Sequence, residues 1–239
     1  MRILFLDTET TGRGSADRII SLGIIEAISN QITGRGLHLY FSTNQKVHPE
    51  AFKVHGLSND FLKQYKPFKE HIPEIIRFIQ GGSLIIHNAR FDNSFLSREF
   101  KEEGYQDLEQ YCEGIIDTLA MARELFPKKR NSLDALCARY NIDNSQRTKH
   151  CALLDASLLS EVYFCLIRDS ASSNNIEIIK PPSEPKHIQR LNQDDAPNLY
   201  GSISYEEHEH FIKNILQSPE DDKLLGWEIQ SNNTGKKYE

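Results

Sequence analysis

Ile3-Leu-Phe-Leu-Asp-Thr-Glu-Thr-Thr-Gly12 decides how the rest of the chain is read. Its apolar start has strand character, and its polar end carries two carboxylates, Asp7 and Glu9, one residue apart. Successive side chains of a strand alternate between faces, so Ile3, Phe5, Asp7 and Glu9 line one side. Carboxylates at the end of a buried strand lose hydration and repel each other. At about 5 Å, and an effective dielectric near 20, that repulsion costs roughly 3 kcal/mol. A divalent cation removes the cost, and oxygen-only ligands suit Mg²⁺ or Mn²⁺. A strand running into a polar turn fits the same residues, because Asp, Thr and Gly are turn formers. The pair alone leaves both readings open.

Working outward, strand patterns cover 2–8, 18–28 and 36–43, separated by polar, glycine-containing connections, as in an antiparallel meander. Ile72, Ile75, Ile76 and Ile79 recur at helical spacing within 68–80. Residues 84–87 read as a short buried strand, 91–103 as a helix, and Ile115-Ile116 as another brief strand before a helix over 118–125. Asp117 suits the N-cap of that helix, and Ser132 caps the next one, over Leu133 to Tyr140. A long helix spans 150–168, with Asp155, Leu158, Leu159 and Val162 on one face. An acid on an apolar helix face is costly unless it is paired or metal-bound. No internal repeat is present.

The chain has 239 residues, 38% hydrophobic and 26% charged, an ordinary globular composition with room for one core and an appendage. No apolar run approaches the ~20 residues of a membrane span, and no signal-peptide pattern opens the chain, so the expectation is a cytoplasmic protein without membrane contact. Cys112, Cys137, Cys151 and Cys165 lack CxxC spacing and read as reduced thiols rather than a zinc site. A net charge of −6 argues against tight duplex binding driven by counterion release. It does not exclude a nucleic-acid enzyme, because bound cations reverse the local sign of acidic ligands. The one notable basic cluster is Lys128-Lys129-Arg130, with Arg147 and Lys149 further on. It reads as a solvated loop, or as a phosphate contact if it folds beside the carboxylates.

A third carboxylate, Asp92, ends His87-Asn-Ala-Arg-Phe-Asp92, where a strand turns into a helix, and the fourth is Asp155, with His150 five residues before it. Each has a bland counterpart: an acid in a first helical turn, or a helix-start histidine. Together, these elements resemble the DEDDh 3′–5′ exonucleases of the ribonuclease H-like superfamily, and most of all the proofreading epsilon subunits of bacterial DNA polymerase III. Pro49-Glu-Ala-Phe-Lys-Val-His-Gly56, Lys129-Arg-Asn-Ser-Leu-Asp-Ala-Leu-Cys-Ala-Arg-Tyr140 and Arg147-Thr-Lys-His-Cys-Ala-Leu-Leu-Asp-Ala156 carry the likeness further. It implies an α/β fold with a mixed central sheet, an antiparallel meander plus parallel strands, flanked by helices.

The resemblance also implies a mechanism. Asp7, Glu9, Asp92 and Asp155 would hold two Mg²⁺ or Mn²⁺ ions, with His150 as general base, and the product would be a nucleoside 5′-monophosphate. Thr8, Thr10, Thr11 and Gly12 would flank the 3′-terminal nucleotide, Glu50 and His55 would meet its sugar or phosphate, and Asn88 and Phe91 would position or stack the end. The implied organisation is an exonuclease domain over 1–169, a Ser-, Asn- and Pro-rich linker over 170–198 and a helical tail over 199–239. Within that tail Ser204 and Glu207 match a capping box. The tail would bind the polymerase alpha subunit, and a theta-like subunit fits the same assembly. Residues 169–186 contain no glutamine, so the glutamine-plus-aromatic peptide for a sliding clamp is absent there and clamp contact stays open. An RNA 3′-end trimmer of the same superfamily and a silent polymerase-stabilising subunit are the competing readings. The intact set of acids speaks against the second.

Overall fold

The computed structural model describes residues 1–172; the linker and tail expected from the sequence lie outside them. Five strands form one sheet in the order β3-β2-β1-β4-β5, from β1 (Arg2–Thr10), β2 (Ile19–Ile28), β3 (Gln31–Tyr40), β4 (Ser83–Ile86) and β5 (Gly114–Asp117). β1–β2 and β2–β3 are antiparallel, whereas β4 joins β1, and β5 joins β4, in parallel. The expected combination of meander and parallel strands is therefore the observed sheet. The helices are α1 (Pro49–His55), α2 (Asn59–Leu62), α3 (Phe68–Ile79), α4 (Ala89–Glu102), α5 (Thr118–Leu125), α6 (Leu133–Tyr140) and α7 (Ala152–Ser172).

Alternation along β1 splits the core. Leu4 and Leu6 pack with Ile72, Ile75, Ile76 and Ile79 of α3 and Phe95, Leu96 and Phe100 of α4. Ile3 and Phe5 pack with Leu136 of α6 and Ala156, Leu159 and Val162 of α7. Asp7 and Glu9 continue the second set, so the same period that buries Phe5 aims both carboxylates toward α7.

Three readings shift. The third strand begins at Gln31 rather than 36, because Ser29 and Asn30 both adopt left-handed backbone (φ 51° and 64°) and close a two-residue hairpin that pairs Gln31 with Ile28. Its first six residues are exposed, so no apolar alternation marks them. The segment 49–56, read only as a motif, folds as α1, ended by left-handed Gly56 (φ 74°), and α2 follows it. α7 runs to Ser172, beyond the 169 boundary drawn from composition.

Candidate active site

Three elements bring the acids together. Asp7 and Glu9 lie at the C-terminal end of β1, opposite Gly23 and Ser21 of β2. A Cβ on Gly23 would run into the backbone of Ala152 and Leu153, so the start of α7 rests directly on the sheet. That close approach, which only glycine permits, sets Asp155 beside the β1 acids. Asp155 is 2% exposed, on the same α7 face as buried Leu158, Leu159 and Val162. Sequence reasoning missed Gly23, although a glycine inside an apolar strand is itself a signal for close backbone contact.

Asp92 sits in the first turn of α4, which starts after Asn88 in left-handed conformation (φ 66°). Asn tolerates that region better than other side-chain-bearing residues. The kink turns the chain sharply out of β4 and leaves Asp92 buried, accepting from the Thr8 hydroxyl at 2.6 Å. Asp117 caps α5 as its spacing suggested, accepting from the N–H groups of Leu119 and Ala120, and it also accepts from the Asn88 N–H at 3.1 Å.

The four carboxylates share one electrostatic environment. Burial holds Asp7 well above the usual carboxylate range, and Asp155, Asp92 and Glu9 push it further up. Glu9 is raised by burial and then by Asp155. Burial lifts Asp92 to about 7 against the hydrogen bond from Thr8. Glu9 Oε1 is buried with no hydrogen-bond partner among the described residues. Glu9, Asp155 and His150 each present a donor atom, all within 4.8 Å of one another. Desolvated, mutually repelling oxygens with an orphan among them are poor protein structure and a good donor set for a hard divalent cation. The residues fit such a group.

Arg147 is the feature the sequence reading placed least well. It is not a solvated loop residue: its side chain is 7% exposed and forks onto Asp155, with Nε 2.5 Å from Oδ1 and Nη2 2.8 Å from Oδ2. Nη1 reaches Asp134 on α6 at 2.5 Å, and Nη2 also lies 2.9 Å from His150 Nδ1. Arg147 thus supplies a fixed positive charge to the acid cluster, and it lowers the pKa of both Asp7 and Glu9 against the larger effects that raise them. The adjoining loop is tied down by the His150 N–H donating to the Val54 carbonyl at 3.0 Å and by Lys149 Nζ on the Lys53 carbonyl.

The residues expected to meet substrate divide into two groups. Glu50 and Asn88 are exposed and Phe91 is half-buried, packed at a tilt against Phe95 with ring centres 4.9 Å apart. Thr8, Thr10, Thr11 and His55 are buried; the three threonine hydroxyls are engaged internally, whereas His55 Nε2 has no hydrogen-bond partner among the described residues. Thr10 donates to the Gly12 carbonyl, and Thr11 to Asp17, which is packed with His48 against Gly12 so closely that a Cβ there would collide with both. His55 accepts from the Leu57 N–H at Nδ1, and burial lowers its pKa to about 4, so at neutral pH the ring is uncharged. These four are buried at or near the end of β1, while Glu50 and Asn88 are open to solvent and Phe91 is partly so.

Residues 4–163 match the family model described as Exonuclease. The chain is 44% identical over 173 residues to the DNA polymerase III subunit epsilon of Escherichia coli K12, covering 69% of this chain and 71% of that protein. It is 38% identical over 227 residues to the same subunit of Rickettsia prowazekii, covering 90% and 97%. Among solved structures, the nuclease domain of 3′hExo, a DEDDh family member bound to rAMP, superposes with a TM-score of 0.60 at 14% identity, over 70% of this chain and 92% of that one. Exonuclease X in complex with 5′ overhanging duplex DNA gives 0.56 at 21%, over 71% and 92%; both establish the shared fold. The chain belongs to the exonuclease family and, within it, to the DNA polymerase III epsilon subunits.

Proposed function

We propose, from that membership, that the chain is a proofreading 3′–5′ exonuclease that removes mispaired 3′-terminal nucleotides from DNA for a bacterial replicative polymerase. The observation that carries the reading is the buried acid cluster with its orphaned Glu9 oxygen. Asp7, Glu9, Asp92 and Asp155 would hold two divalent cations, Mg²⁺ or Mn²⁺. Bound there, such ions lower the pKa of a water and stabilise the charge that develops on the leaving 3′ oxygen.

The chain's own groups do the rest. His150 takes the water's proton. Its Nδ1 stands between a donor, Arg147 Nη2 at 2.9 Å, and an acceptor, Asp155 Oδ2 at 3.3 Å. Turned to Arg147, the neutral ring keeps its proton on Nε2; turned to Asp155, it carries the proton on Nδ1 and leaves Nε2 free as the base. Base catalysis uses the second arrangement. Arg147 orients Asp155, Asp155 orients His150, Thr8 orients Asp92, and Asn88, Glu50 and the half-buried Phe91 offer surface to the terminal nucleotide. The buried threonines and neutral His55 keep the strand end rigid beneath it.

The nuclease unit on this reading runs from residue 1 to the end of α7 at Ser172, with the linker after it up to residue 198 and 199–239 a tail that binds the polymerase alpha subunit. The 227-residue alignment with the Rickettsia subunit supports counting the tail as part of the same protein. Replisome association makes the location cytoplasmic, and no described helix is long and apolar enough to cross a membrane.

The test compares matched DNA and RNA primers with paired and mispaired 3′ ends, with and without a polymerase alpha subunit. Faster Mg²⁺-dependent release of 5′-mononucleotides from the mispaired DNA end is expected, because a frayed terminus enters a single-strand site without an unpairing cost. Preference for RNA would replace this reading with 3′-end RNA trimming. Truncation after Ser172 should spare nuclease activity and abolish co-elution with the alpha subunit; co-elution of the truncated chain would refute the tail assignment.

A further inference from the structure

An open groove of about 570 Å³ lies beyond the C-terminal ends of β4 and β5, where His87, Asn88, Arg123, Lys128, Lys129 and Ser132 border it. Crevices at the carboxyl ends of parallel strands are where α/β sheets bind ligands. Lys128 holds a left-handed backbone (φ 65°), which costs a lysine about 1 kcal/mol. The surrounding turn is pinned. Asn131 Nδ2 and the Lys129 N–H both donate to the Phe126 carbonyl, at 3.2 and 3.3 Å. Arg139 stacks over the Phe126 ring at 4.2 Å and donates to Asn131 Oδ1 and the Arg130 carbonyl. The result is a rigid loop that presents lysines to the groove.

Those cations are not neutralised from within. Arg123, Lys128 and Lys129 make no ion pair among the described residues, whereas Arg2, Arg18, Arg35 and Arg147 all do. The nearby acid, Asp117, accepts from the N–H groups of Asn88, Leu119 and Ala120. In a chain of net charge −6, three unpaired cations beside one groove form a localised anion-binding surface. Asn88, which borders the groove, stands one helical turn before Asp92 of the acid cluster.

We infer that this groove is a phosphate track for the single strand upstream of its 3′ end, with Arg123, Lys128 and Lys129 binding the backbone phosphates of nucleotides behind the one being removed. The inference rests on the nuclease reading for the direction of the strand. It assigns the basic cluster a role in holding a longer substrate rather than in the chemistry.

The test uses the full chain and the triple variant Arg123→Gln, Lys128→Asn, Lys129→Gln, in which Asn suits the left-handed position. Binding of a labelled twelve-residue oligothymidylate is followed by fluorescence anisotropy across a salt series, with EDTA to stop cleavage. Loss of three phosphate contacts at ~0.7 each should flatten the plot of log affinity against log salt by about 2. Lys69→Gln, on α3, should leave the slope unchanged. Turnover of the p-nitrophenyl ester of thymidine 5′-monophosphate, which has no upstream phosphate, should be the same in the triple variant and wild type, while KM for the oligomer rises. An unchanged salt slope in the triple variant, or an equal loss of ester turnover, overturns the track. Should the triple variant fold poorly, Lys129→Glu alone must reduce the slope by at least the single-contact amount. Failure of wild-type enzyme to cleave either substrate would count against the nuclease reading, and the salt slope would still decide the groove.

Discussion

Glu9 and Glu26 lie on neighbouring strands, both buried, and the protein treats them in opposite ways. Glu26, with no exposed side-chain surface, accepts from Arg2 Nε at 2.6 Å, Arg35 Nη1 at 3.3 Å and the Thr33 hydroxyl at 2.8 Å. Although burial works against it, these partners hold its pKa below the ordinary glutamate value. Glu9 has an oxygen with no partner, the acids Asp155 and Asp92 pressing on it, and a pKa pushed far up. A buried carboxylate matched by cations belongs to the scaffold. One left unmatched among its own kind is waiting for a ligand that the chain does not supply.

The sharpest way to break that contrast is Glu9→Gln. If Glu9 is a ligand, nucleotide release falls by roughly three orders of magnitude, the loss of several kcal/mol of charge stabilisation at about 1.4 kcal/mol per tenfold. The metal-free protein should be no less stable, since one repelling charge has gone, and the rise in melting temperature on adding Mg²⁺ should shrink. Single-turnover kinetics and paired melting curves check both. Activity within tenfold of wild type would return Glu9 to the same class as Glu26.

Gly23→Ala tests whether backbone contact places the site. A methyl group there must displace the start of α7 or the strand, at a cost of 1–3 kcal/mol by the usual magnitude for overpacking. A displacement near 1 Å at Asp155 is expected to cost about 10²-fold in turnover. Melting and steady-state rates separate the two effects; a stable, fully active Gly23→Ala enzyme would show that α7 is located by its apolar face alone.

Glu26→Gln is the scaffold's counterpart. It leaves Arg2 facing a neutral amide, a loss of about 2 kcal/mol for a charged hydrogen bond, with turnover per folded molecule unchanged. Denaturant unfolding measures the first and active-site-normalised rates the second. A stability change under ~0.5 kcal/mol would mean that the cation pairing is not what makes Glu26 tolerable.

These three positions also mark how far the sequence could be read. Asp7, Glu9 and Asp155 were legible because strand and helix periods place them on apolar faces, where acids are anomalous. Asp92 needed the strand-to-helix turn at Asn88, which the His-Asn-Ala-Arg-Phe-Asp spacing indicates. Gly23, Arg147 and the pairing of Glu26 depend on which elements meet in three dimensions. Arg147 is eight residues from Asp155 but thirteen from Asp134, and no local pattern announces that it joins them. The first part of β3 was invisible for a related reason: its pairing is fixed by the Ser29-Asn30 turn, not by burial.

The smallest effect expected is on stability against pH, and it separates the two glutamates by sign. Asp7, Glu9 and Asp92 have folded pKa values above their unfolded ones, near 4, with Asp92 at about 7. Their protonated forms favour the fold at low pH, and that contribution is lost as pH rises from about 4 toward 7, because the native state then holds more protons than the unfolded chain. Glu26 works the other way, contributing above its unfolded pKa and losing that contribution as pH falls through its lower folded value. His55, lowered to about 4, also makes stability rise with pH up to its unfolded pKa, so the raw curve mixes these trends. Subtracting the Glu9→Gln curve from wild type, both in EDTA, cancels His55 and Glu26 and leaves the contribution of Glu9 and its coupling to the other acids. That difference should decline across pH 4–7 in EDTA and reverse in Mg²⁺, where the cation competes with protons for the same oxygens. Identical difference curves with and without Mg²⁺ would mean that the raised carboxylates are not the oxygens that bind it.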